Sequence, residues 1–105
     1  MIKMSKKGIE FTMEVEEIKD YEVFMKNENC IKELKELITV CDYGVAIGFS
    51  DDNVLMCQGK IINNTKKECE AEYTLFKGKY ARILEKYYGK IKVIDRMKLY
   101  FTTLY

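Results

Sequence analysis

Residues 8–18, "GIEFTMEVEEI", switch between apolar and polar at almost every step. Ile9, Phe11, Met13 and Val15 alternate with Glu10, Thr12, Glu14 and Glu16. A period of two belongs to a strand, whose successive side chains leave opposite faces. One face is therefore dry and the other carboxylate-rich, so this strand needs a cover on one side and water on the other.

The cover comes from helical spacing further along. Asp20 is placed to cap a helical segment beginning at Tyr21. In "NENCIKELKELITVC" the apolar positions Cys30, Ile31, Leu34, Leu37, Ile38 and Cys41 recur at helical intervals, with Lys and Glu between them. Residues 20–41 fit one helix or two, and "DYG" at 42–44 ends the segment, with Gly44 as the permissive stop. "YGVAIGFS" and "NVLMCQGKII" read as two short strands, and the turn formers "SDDN" at 50–53 join them in a hairpin.

Residues 65–88 carry two patterns. "ECEAEYTL" alternates as a strand would, with Cys69, Ala71, Tyr73 and Leu75 on one side. Yet Cys69, Tyr73, Phe76, Tyr80, Ile83 and Tyr87 also step by four and three along one helix stripe. Thr65 followed by Glu68 matches a capping box, acids gather at the start, Arg82 and Lys86 sit near the end, and Gly89 offers a stop. Gly78 in the middle counts against the helix by roughly 1 kcal/mol. The helix is the stronger reading. The final stretch alternates again, with Met97, Leu99 and Phe101 opposite Arg96, Lys98 and Tyr100, and a bulge is expected near Ile94.

Strand, helix, strand, strand, helix, strand is the order of a ferredoxin-like βαββαβ two-layer sandwich with an antiparallel sheet. The alternative is a five-stranded antiparallel sheet with 68–76 as an extra strand and a short second helix. Either is α+β, and 105 residues suit a single domain spanning 1–105.

Several functions lack their residues. The chain has no His, which removes the usual general base, the His-dependent triads and His-containing metal sites. The four cysteines, Cys30, Cys41, Cys57 and Cys69, form no CxxC pair and fall on apolar faces, so reduced buried thiols are expected. Asp51 and Asp52 read as turn residues, and "GVAIG" as strand and not a phosphate loop. The RNA-recognition motif shares this element order but needs exposed strand aromatics, where this chain has Glu10, Thr12, Glu14 and Glu16. No catalytic residue, metal or cofactor is expected. Nor is a membrane segment, since no apolar run approaches about 18 residues. The basic start "MIKMSKKGIE" has no apolar segment behind it, so an intracellular, cytoplasmic protein is expected.

Charge is the informative feature. Residues 1–52 hold seven lysines against twelve acids, a balance of −5. Residues 53–105 hold eleven basic residues against five acids, a balance of +6, although the whole chain is only +1. Two explanations compete. A partner-binding row at Lys77, Lys79, Arg82, Lys86, Lys90 and Lys92, with Tyr88 beside it, would meet an anionic partner. Alternatively, Glu10, Glu14 and Glu16 of the first strand lie beside Arg96 and Lys98 of the last and neutralise them. A dimer face is expected at Val54 and Met56, joined by Tyr100, on the open side of the sheet.

These features point to a small non-enzymatic binding or regulatory protein that contacts a macromolecule, with a protein partner preferred and a homodimer allowed. Sixteen Lys against two Arg, with few Ala and many Ile, suggest an AT-rich genome, and a phage or viral inhibitor of a host system fits the size. The alternatives are nucleic-acid binding by the basic row 77–98 and a small-molecule-binding or enzymatic ferredoxin-like domain.

Overall fold

The alternating N-terminal segment becomes β1 (Met4–Val15), an inner strand of one four-stranded antiparallel sheet. The structure is a computed structural model that describes the backbone of residues 4–104 and the side chains of residues 7–99. After β1 come α1 (Tyr21–Lys26), α2 (Glu28–Thr39), β2 (Val45–Phe49), β3 (Leu55–Asn63), α3 (Lys66–Tyr88) and β4 (Val93–Leu104). The sheet order β2-β3-β1-β4 is the ferredoxin-like arrangement, and the first and last strands are antiparallel neighbours.

The first helical segment is two helices, broken at Asn27. Its backbone N–H closes α1 on the Phe24 carbonyl at 3.0 Å, and its side chain accepts from the Cys30 N–H at 3.2 Å to open α2. A short amide side chain competes with the helix ladder in this way, so one residue serves as both caps. Asp20 does cap α1, accepting from the Val23 N–H at 3.2 Å. Gly44 is not the stop expected of it. The helix ends at Thr39 with Val40 as its cap, and the Gly44 carbonyl instead accepts the Lys60 N–H at 3.1 Å at the entry to β2. The 50–53 hairpin forms as expected, with Asn53 at φ 61° and its N–H on the Ser50 carbonyl.

Residues 68–76 are helical, so the five-stranded alternative falls. Thr65 accepts from the Glu68 N–H at 3.1 Å and donates its hydroxyl to the Glu68 carboxylate at 3.0 Å, which fixes the first turn. Burial follows Cys69, Tyr73, Phe76, Tyr80 and Leu84. Ile83 and Tyr87 are only half-buried, because the stripe drifts to Leu84 at its far end. Gly89, at φ 78°, ends the helix.

No bulge forms at Ile94. Pairing of β1 with β4 runs unbroken from Met4↔Leu104 to Val15↔Val93. The consecutive apolar residues that suggested a bulge simply take opposite faces: Val93 lies beside Val15 on the helix side, and Ile94 beside Glu14 on the open side.

The dry face of β1 is the centre of the core. Ile9, Phe11, Met13 and Val15 are at most 3% exposed. Phe11 pairs with Gly59 of β3, and its ring fills the space a side chain there would need. A Cβ on Gly59 would lie 2.5 Å from Phe11 Cζ and 3.0 Å from the Gly44 carbonyl oxygen. An aromatic ring laid across a strand glycine recovers the packing that glycine forgoes. Tyr73 and Phe76 of α3 close over that ring, with centroids 5.0 and 5.7 Å away. Thus α3 packs over β1 and β3, leaving the helix side of β4 uncovered at Met97 and Leu99.

Candidate binding surface

The basic row on α3 divides into paired and unpaired cations. Lys77 reaches the Asp95 carboxylate of β4 at 3.2 Å. Lys86 reaches both oxygens of Glu33 on α2 at 3.2 Å, and the Tyr87 hydroxyl donates to the same carboxylate. The Tyr87 hydrogen bond, followed by Lys86, holds the Glu33 carboxyl below its usual range, while Glu33 raises the Lys86 ammonium. Lys79 and Arg82 are exposed and make no ion pair among the described residues. With Leu75, itself 60% exposed, and Lys86 they follow helical spacing along one outer stripe.

Past the helix, Lys90 and Lys92 are exposed, and the Lys92 N–H donates to the Glu17 carboxylate at 3.2 Å. Tyr88 is turned inward. Its ring stacks on Phe24 with centroids 6.0 Å apart and packs against the core, and its hydroxyl is buried, so it does not stand out beside the row as expected.

The strand charges meet in part as expected. Glu10 stands between Lys60 and Lys98 in the register and pairs with Lys60 at 3.2 Å. Arg96 lies beside Thr12 instead of a carboxylate, Glu14 lies beside Ile94, and Glu16 falls beyond the strand. Arg96 and Lys98 are exposed without an ion-pair partner among the described residues.

Val54 and Met56 are half-buried at one end of the open face, where Met56 lies beside Glu14. Tyr100 pairs by backbone with Gly8, and its side chain lies outside the described residues. Gly8 and Glu14 are separated along β1 by about 20 Å at the rise of an extended strand, so these three residues do not make one patch. The apolar residue that does adjoin Met56, across Glu14, is Ile94. Sequence spacing also missed the exposure of Met97 (51%) and Leu99 (41%), which share a sheet face with buried Phe11 and Ile9.

A broad open concavity borders β2, β3 and the start of α3, near Tyr43, Asn63 and Glu72. Within it Asn63 donates to Glu72 at 3.0 Å, Glu10 pairs with Lys60, and burial raises the Tyr43 phenol. Among the described residues no three His, Cys, Asp or Glu side chains converge as metal ligands. The four cysteines are free, and burial first of all pushes Cys30 up to about 11 and Cys57 up to about 12. Among the described residues no helix is long and apolar enough to cross a membrane.

No protein-family model and no curated protein matches the chain. Among solved structures it is similar to a de novo designed protein with ferredoxin fold, at 11% identity over 89% of this chain and 84% of that chain, with a TM-score of 0.50. It is also similar to the de novo designed protein Foldit4, at 14% identity over 89% of this chain and 96% of that chain, with a TM-score of 0.46. A dinuclear metal binding peptidase of the M20 family from Bacillus subtilis aligns at 13% identity over 91% of this chain and 25% of its own, with a TM-score of 0.45. The first of these likenesses agrees with the strand order and speaks to the fold alone.

Proposed function

We propose that this chain is a small non-enzymatic binding or regulatory protein that contacts an acidic surface of another protein through the outer stripe of α3. One observation carries the reading. Among the described residues Lys79 and Arg82 stand exposed without ion-pair partners, in line with exposed Leu75, whereas Lys86 on the same stripe and Lys77 on the side facing β4 are drawn into the molecule's own contacts. An outer stripe that pairs Lys86 at one end and leaves Lys79 and Arg82 open beside a bare leucine offers an apolar contact with charge on its rim. The four free thiols favour a reducing compartment, in keeping with action inside the cell.

The test is affinity capture from a lysate of the source cell, with and without nuclease, comparing the wild-type chain with Lys79→Glu/Arg82→Glu. Retention of a nuclease-resistant protein that the variant fails to retain, with an unchanged thermal midpoint, is the expected result. Capture that survives the double reversal removes α3 from the account. Capture abolished by nuclease transfers the stripe to nucleic acid, for which exposed Lys90 and Lys92 supply the continuation.

A further inference from the structure

A second surface, separate from the α3 stripe, lies along β4. This strand is the outer member of the sheet, and its pairing with β1 extends over its full length without a break. Its far side therefore presents unpaired backbone donors and acceptors, a ready template for another strand. Edge strands are commonly guarded by proline, bulges or inward-pointing charge. Within β4, "VIDRMKLYFTTL", there is no proline and the register has no bulge. One inward charge, Asp95, is present near one end, where α3 claims it.

The side chains specify what fits. On the helix side Met97 and Leu99 are exposed, and on the open side Arg96 and Lys98 are exposed and make no ion pair among the described residues. Side chains of a strand are reached from both neighbouring strands, and β1 already shows what suits these from within. There Ile9 and Phe11 lie beside Leu99 and Met97, while Glu10 lies beside Lys98. The outer neighbour faces the same alternation: Arg96 has Thr12 and no carboxylate beside it, and the Glu10 beside Lys98 is drawn to Lys60. We infer that the β4 edge accepts an extended peptide of alternating acidic and apolar residues, added as a fifth strand with its carboxylates beside Arg96 and Lys98 and its apolar side chains beside Met97 and Leu99.

Other occupants fit less well. Two copies of β4 related by a two-fold axis bring Arg96 and Lys98 close to the same cations of the second copy, and like charges across strands are destabilising. A nucleic acid meets the two cations but leaves Met97 and Leu99 wet, and it makes no use of the strand edge.

The probe is a fluorescein-labelled, end-blocked peptide, "GIEFEMEV", the chain's own β1 sequence with Glu in place of Thr12 so that carboxylates two residues apart can reach both Arg96 and Lys98, titrated into the full chain by anisotropy and by amide NMR. Saturable binding is expected, with shifts along residues 94–99 and none at residues 79–82. Affinity is expected to fall at least fivefold in Arg96→Gln/Lys98→Gln. It is expected to be lost for a peptide carrying Lys at every Glu position. A Met97→Ser/Leu99→Ser variant, which leaves the charges in place, is expected to weaken binding as well. Equal binding by the glutamine variant, or no binding to the wild-type chain, overturns the inference. So do shifts that spread through β3, which mark replacement of β1 itself. A wild-type dimer that the serine variant dissociates, without peptide binding, assigns the edge to a second copy. An oligonucleotide bound in the peptide's place assigns the cations to nucleic acid. None of these results bears on the α3 stripe, whose residues are unchanged throughout.

Discussion

The Tyr73 hydroxyl on α3 donates a hydrogen bond to the Asp95 carboxylate on β4, and Lys77 reaches the same carboxylate from one helical turn further on. One acid thus joins the helix layer to a strand whose Met97 and Leu99 stay exposed. The hydrogen bond from Tyr73, then Lys77, holds the Asp95 carboxyl below its usual range, while burial and the Asp95 charge push the Tyr73 phenol up.

A depressed carboxyl stabilises the fold above the unfolded-state pKa of about 3.9, and that contribution is lost as pH falls through the lower folded-state value. Asp95→Asn is therefore expected to cost about 1 kcal/mol near neutral pH, a modest figure because the ion pair is partly solvent-screened. The gap between variant and wild type should narrow steadily on acidification below about pH 4. Urea unfolding at a series of pH values reads this directly, and a gap constant down to pH 2 would exclude the linkage.

Tyr80 lies fully buried with a hydroxyl that has no hydrogen-bond partner among the described residues, close to Cys57 and Cys30. A lone buried hydroxyl opposes folding, and its removal leaves the ring's packing intact. Tyr80→Phe is expected to raise stability by about 1 kcal/mol in chemical denaturation. A loss of similar size would mean that the hydroxyl has a partner in solution.

Gly78 sits in the middle of α3, exposed, with no atom within 4 Å of the place a Cβ would occupy. Nothing in the fold requires glycine there, and its backbone freedom is lost on folding. Gly78→Ala should stabilise the chain by about 0.5–1 kcal/mol. A raised thermal midpoint with unchanged far-UV circular dichroism is the expected reading.

Thiol chemistry should distinguish Cys41 from the rest. It is half-buried, while Cys30, Cys57 and Cys69 are buried and their thiols are pushed up by burial. A disulfide reagent at pH 8 is expected to label one cysteine quickly and the other three only as the protein unfolds. Cys41→Ser should remove the fast phase, and its persistence would relocate the accessible thiol.

Element type and order were legible because the local signals agreed. The alternation of Ile9 to Val15, the Thr65–Glu68 cap and the turn chemistry of residues 50–53 each specify a structure without distant partners. Asn27 was harder to read, since an asparagine inside an apolar helical repeat announces neither a stop nor a start unless its side chain is seen turning back. Residue 68 onward alternates well enough to imitate a strand, and the longer stripe from Cys69 to Tyr87, with the Thr65–Glu68 cap, favours the helix that forms. The surfaces were less legible than the elements. Lys86 looks free in sequence, yet α2 brings Glu33 against it, a contact between residues far apart in the chain. Met97 and Leu99 carry the pattern of core positions, and their exposure depends on where α3 comes to rest across the sheet.

The ring of Phe11 lying where Gly59 has no side chain makes those two positions a single unit of variation. A methyl group at 59 evicts the ring, and a short residue at 11 opens a hole above a bare backbone, so drift at either site alone is blocked. Descendants of this chain can alter the pair only in concert, and the two columns should covary in any lineage that keeps the sheet.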